Sequence, residues 1–159
     1  MSVKLTILGT TYEFPQNGDA AAWGEAVTAW AQAVTEFLTL IIDPNDILPT
    51  EENILNDQSA DVIVKGLVFN SAEVRAANIT YSILRSTDDF DVVETGTLLL
   101  NYDADAPVNE KWQFTQTTND DAGVILSVTD AGQFYYKSND LTGANYSGTI
   151  RFSAKVLRV

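Results

Sequence analysis

The two residue types that supply most acid–base and metal chemistry are missing from this 159-residue chain: it has no histidine and no cysteine. That removes the commonest general base, imidazole and thiolate metal ligands, and any disulfide. Serines are present, but no Gly-x-Ser-x-Gly nucleophile elbow is. Carboxylates remain. With 22 acidic residues, the carboxylate pairs that run glycoside hydrolysis arise by chance. Asp88-Asp89-Phe90-Asp91 and Asp103-Ala104-Asp105 offer the oxygens that Ca²⁺ takes, but neither has EF-hand spacing. Both read as solvated turns. The residues point to a non-enzymatic protein with no catalytic residue, no metal and no cofactor.

Aromatic side chains are the other chemistry on offer. Trp112, Phe114, Phe134, Tyr135, Tyr136 and Tyr146 resemble the stacking platforms that hold sugars. Strand alternation sends Phe134 and Tyr136 to the face opposite Tyr135. Tyr135 and Tyr146 are the candidate glycan contacts.

Charge narrows the partners. Nine basic residues against 22 acidic ones give a formal charge of −13. Such a surface repels phosphate backbones and anionic headgroups, so neither nucleic acid nor membrane is an expected partner. The opening residues alternate and do not read as a signal peptide. The longest apolar run, near Leu38 to Ile42, is too short to span a bilayer. Asn78-Ile79-Thr80 and Asn145-Tyr146-Ser147 fit the glycosylation sequon by chance.

The elements that would position these residues divide the chain in three. Residues 1–45 are an N-terminal arm and a helix. Val3 to Phe14 reads as two short strands or one extended arm, and Pro15 to Gly18 as a turn. Asp19 is an N-cap candidate for a helix from about Ala20 to Ile42, which Pro44 ends. Residues 46–60, with Pro49, Glu51, Glu52 and Asp57, read as an acidic linker with one short strand near Asn53 to Leu55, or as an extended arm that packs on a neighbour. Residues 61–159 alternate in short β-branched and aromatic runs with regular turn signals. Ile79, Tyr81 and Ile83 share one strand face, and Asp130-Ala131-Gly132 centres a hairpin. The fold class is mainly β: an antiparallel β-sandwich or jelly roll preceded by one N-terminal amphipathic α-helix.

The helix carries the partner signal. Trp23, Val27, Trp30, Val34, Phe37 and Ile41 are spaced 4, 3, 4, 3 and 4, a heptad seam with Val27, Val34 and Ile41 at a. The flanking positions hold Gly24, Ala26, Ala31, Ala33, Leu38 and Leu40 where a free coiled coil carries charges. An apolar face this wide needs two surfaces to cover it. It is the expected oligomer interface, most simply of a homotrimer, against the alternative that it covers one face of the chain's own sheet. Arg151, Lys155 and Arg158 concentrate positive charge near the C-terminus, suited to pairing with the acidic 46–60 stretch.

Tyr12-Glu13-Phe14-Pro15-Gln16-Asn17-Gly18-Asp19, followed by Trp23-Gly24 and the helix through Trp30 and Val34, resembles an N-terminal module of tailed-bacteriophage virion proteins. Gly66-Leu67-Val68-Phe69-Asn70 and Asp130-Ala131-Gly132-Gln133-Phe134 are similar in style to the same proteins. The resemblance implies a homotrimeric β domain held to the virion through its N-terminal region. The absence of a shaft repeat favours a head decoration or short head-fibre protein whose partners are itself and the major capsid protein. The alternative it implies is a glycan- or receptor-binding module of a tail fibre or baseplate.

Overall fold

The computed structural model describes residues 3–7, 10–14, 23–41 and 43–159. They form two compact units, Met1–Pro44 and Asn45–Val159.

In the first unit, β1 (Val3–Ile7) and β2 (Thr10–Phe14) pair as an antiparallel hairpin. The cross-strand pair Lys4–Glu13 closes at 2.7 Å, and this partner raises the Lys4 pKa. Both groups are exposed, so screening leaves the pair little weight in stability. Helix α1 (Trp23–Ile41) packs against this hairpin. The turn at residues 15–18, the Asp19 cap and the expected start at Ala20 lie outside the described residues.

The second unit is an antiparallel sandwich. Its larger sheet has the order β3-β10-β5-β6-β7: Ile47–Asn53, Ser147–Arg158, Val74–Ser86, Asp91–Tyr102 and Trp112–Thr118. Its smaller sheet is β4-β9-β8: Gln58–Val68, Gln133–Ser138 and Val124–Val128. Five strands face three, so the sandwich is not the evenly divided jelly roll. Period-2 alternation builds the core. Ile79, Tyr81 and Ile83 on β5, Leu98 and Leu100 on β6, and Ile150, Phe152 and Ala154 on β10 point inward. Val64, Leu67, Phe134, Tyr136, Val124 and Leu126 meet them from the smaller sheet. Each large apolar side chain buried in this way contributes about 1.5–3 kcal/mol.

Two glycines shape the smaller sheet. Gly66 adopts φ +78° where the β4–β9 register shifts, so the strand bulges without ending. Gly132 adopts φ +78° in the β8–β9 turn, at the Asp130-Ala131-Gly132 hairpin expected from sequence.

The 46–60 stretch departs from the expected linker. Residues 47–53 are edge strand β3, paired with β10, and Ile54 is buried in the core. The acidic residues match the neighbouring strand. Arg151 pairs with Glu51 in direct register, and Lys155 reaches Asp46 at 2.5 Å. Asp46 also accepts from the Val156 N–H at 2.9 Å. Pro49 sits at the β3–β10 register shift, a position that asks no ladder donor of it.

Candidate assembly interface

Helix α1 brings the seam onto one element and leaves part of it uncovered. Val27 is 42% exposed, Phe37 36% and the flanking Leu38 49%. Trp30, Ala33 and Val34 are half-buried. The side chains of Trp23 and Ile41, also expected in the seam, lie outside the described residues. The opposite stripe needs no partner: Thr28 donates to the Gly24 carbonyl at 2.7 Å and Thr35 to that of Ala31 at 2.8 Å. These two hydroxyls are satisfied on their own helix.

The two tyrosines singled out as glycan contacts are not brought together. Tyr135 sits on β9, half-buried on the outer face of the smaller sheet, between Ile63 of β4 and Ser127 of β8. Tyr146 lies in the β9–β10 loop with its hydroxyl turned inward. It accepts from Arg85 Nε at 3.2 Å and donates to the Ile54 carbonyl at 3.1 Å. The other aromatics of the presumed platform pack as core: the Phe134 ring lies 6.2 Å edge-on from Phe69 and 5.6 Å from Phe114, and Trp112 lies 4.9 Å from Tyr102. Such pairs add about 0.5–1.5 kcal/mol each beyond the area they bury. A shallow groove of about 520 Å³ crosses the outer face of the larger sheet, lined by Thr80, Ser82, Thr95, Thr97, Ser153 and Arg151.

The most elaborate polar constellation was not expected from sequence. Arg85 is fully buried at the C-terminal end of β5. Its Nη1 donates to the Ala122 carbonyl at 2.7 Å and to Asn139 Oδ1 at 2.6 Å. Its Nη2 donates to Asn56 Oδ1 at 2.8 Å and to the Asn139 carbonyl at 2.6 Å. Its guanidinium carbon lies 5.5 Å from the Tyr146 ring centre. The three loops β3–β4, β7–β8 and β9–β10 converge on this one cation, and every acceptor named is neutral. Glu94 on β6 is buried one diagonal step away, since Ile83 pairs with Glu94 and Arg85 with Val92. Ala122 ties the two together. Its carbonyl receives Arg85, and its N–H donates to Glu94 Oε2 at 2.8 Å.

The other Glu94 oxygen receives the Tyr81 hydroxyl at 2.5 Å. Burial first, and then this bond to Glu94, push the Tyr81 pKa up to about 12. A raised folded value keeps the phenol neutral after the unfolded chain has begun to ionise near pH 10. The resulting stabilisation is complete below pH 10 and is lost as pH rises toward 12. By pH 11.5 the Tyr81 contribution should have fallen by roughly 2 kcal/mol. Urea unfolding of wild type and Tyr81→Phe at pH 8 and pH 11.5 checks this. The variant lacks that part of the alkaline loss, and equal losses in both proteins refute the assignment.

This arrangement ties the three loops to one another. Among the described residues, no three His, Cys, Asp or Glu side chains are grouped to hold a metal ion. Asp88 receives the Asn145 side-chain amide from the β9–β10 loop at 2.8 Å, and Asp103 receives the Asp105 N–H within its own turn at 3.0 Å. No helix among the described residues is long and apolar enough to cross a membrane.

No protein-family model matches the chain, and no curated protein matches it. Among solved structures it is similar to the tailspike protein of Acinetobacter phage vB_ApiP_P1, at 9% identity and a TM-score of 0.40. The match covers 70% of this chain and 22% of the tailspike, so the chain spans about a fifth of that protein's length.

Proposed function

We propose that this chain is a non-enzymatic structural protein of a tailed-phage virion, a homotrimeric head decoration or short head-fibre protein attached through its N-terminal region. The observation that carries the reading is the uncovered apolar seam of α1. Val27, Phe37 and Leu38 stay exposed although the helix already packs on its own hairpin. The sandwich buries a core of its own. A heptad seam is self-complementary, so copies of the same helix are its simplest cover. Each is already more than half covered, so burying the remainder in an assembly is worth about 0.5–1.5 kcal/mol per side chain. The charge of −13 supports partners that are proteins rather than nucleic acid or anionic lipid. The resemblance of the N-terminal segment to virion modules supplies the setting, with the major capsid protein as the surface it docks on.

The test is the mass in solution. Wild type should sediment at three times the chain mass of 17.4 kDa. Val27→Glu combined with Phe37→Glu should sediment as a single chain. Both side chains are partly exposed, and far-ultraviolet circular dichroism checks that α1 survives the substitutions. A wild-type monomer at micromolar concentration, or an unchanged trimer in the double variant, refutes assembly through α1.

A further inference from the structure

The sandwich ends differently on its two sides. On one side β3 and β4, joined by residues 54–57, form the outer edges of the two sheets. Both carry the features that keep an edge from recruiting another strand. Strand β3 has Pro49, Glu51, Glu52 and a register shift. Strand β4 has Asp61, Lys65 and two register shifts. On the other side β7 and β8, joined by residues 119–123, form the opposite edges. Neither contains a charged residue or a proline, and neither has a register break against its neighbour. β8 reads Val-Ile-Leu-Ser-Val, and its outward Ile125 is 71% exposed. An edge of this kind presents a ready row of unpaired backbone donors and acceptors next to apolar side chains.

We infer that the β7/β8 side is a strand-addition surface whose occupant is a second copy of this chain, with β8 pairing antiparallel to β8 of that copy. The sequence of β8 selects the occupant. Pairing about Leu126 sets Val124 against the second copy's Val128 and Ile125 against its Ser127. The pattern is nearly the same read in either direction. A two-fold axis normal to the smaller sheet makes this contact self-complementary and extends that sheet across the pair. Alternation then keeps Val124 and Leu126 on the buried face of the extended sheet and Ile125 on its outer face. Each copy carries −13, so repulsion opposes the contact at low ionic strength and salt strengthens it. The surface is independent of α1. Where the helix holds three copies, β8 pairing joins one trimer to the next.

The absence of cysteine makes the register directly readable in the full chain. Ile125→Cys and Ser127→Cys proteins, mixed in equal amounts and oxidised mildly, should yield a disulfide-linked pair several-fold above either protein alone, and more at high salt than at low. A mixture that cross-links no better than its components overturns the proposal. Ile125→Lys, which restores the missing edge charge, should abolish salt-promoted association in sedimentation velocity. Ile63→Lys, also exposed but on guarded β4, should leave it unchanged; equal effects of the two also overturn the proposal. Repeating the cross-link in the Val27→Glu/Phe37→Glu background separates the two interfaces. The disulfide should persist there, and its loss ties the contact to α1 and removes β8 pairing as a surface of its own.

Discussion

Arg85→Met should destabilise the sandwich by about 3–5 kcal/mol, because several buried acceptors lose one charged donor together. The methionine fills much of the space but donates no hydrogen bond. The carbonyls of Ala122 and Asn139 and the side-chain oxygens of Asn56 and Asn139 lose their guanidinium donor together. Each buried acceptor left unmet costs about 1–3 kcal/mol, reduced where relaxation admits water. Glu94 would then stay buried without the cation one diagonal step away. For a unit of this size the loss corresponds to roughly 10–20 °C in unfolding temperature. Arg85→Lys should recover little of it, since an ammonium has three donors and cannot reproduce the planar fork. Scanning calorimetry of Arg85→Met against Arg151→Met makes the comparison. Arg151 does pair with a carboxylate, but both partners are exposed, so its loss should cost under about 1 kcal/mol. Equal shifts in the two variants would show that Arg85 does not organise the loops.

The site that this result would expose was partly legible in the sequence, through phase. Ile79, Tyr81 and Ile83 mark the inward face of β5, and one further step of two reaches Arg85. On β6, Leu100 and Leu98 run in the same phase back to Glu94. A charged residue in step with a core face is a signal of a buried network. What the chain order does not contain is the set of acceptors, because Asn56, Ala122 and Asn139 come from three loops with no periodicity of their own. Tyr146 went the same way. In an irregular loop its exposure cannot be read from spacing, and the structure turns its hydroxyl to Arg85 and Ile54.

The strands themselves were legible because most have one buried and one solvated face, which imposes a period of two. β3 was the exception. Its proline and acids suit a linker when read alone, and suit an edge strand only beside Arg151 and Lys155, about a hundred residues later. The positive charge near the C-terminus was visible, and so was its match to the acidic stretch. That the match is a strand pairing within one chain is a fact of topology. A helix was expected over 20–42, and the described part of it is helical from Trp23 to Ile41.

Gly132→Ala should cost the sandwich several kcal/mol, though it adds only one methyl group. Two terms combine. A φ of +78° is a left-handed conformation that disfavours any Cβ, by about 1–2 kcal/mol. The added Cβ would also stand 2.0 Å from the Phe69 carbonyl oxygen and 3.2 Å from Trp112 Nε1. The backbone oxygen cannot simply swing away, because the Phe69 N–H is bonded to the Gly132 carbonyl at 3.1 Å. The clash is therefore relieved by shifting β4 from β9, or by opening the turn bond from the Gly132 N–H to the Thr129 carbonyl. Gly24→Ala supplies the opposite case. A Cβ there meets nothing within 4 Å, and α1 gains up to about 1 kcal/mol from the better helix former. Urea unfolding followed by tryptophan fluorescence reads the sandwich through buried Trp112, and far-ultraviolet dichroism reads the helix. The expected pair is a lower sandwich midpoint for Gly132→Ala and unchanged or higher helicity for Gly24→Ala. A Gly132→Ala protein with the wild-type midpoint would mean that the β8–β9 turn does not hold β4 in place.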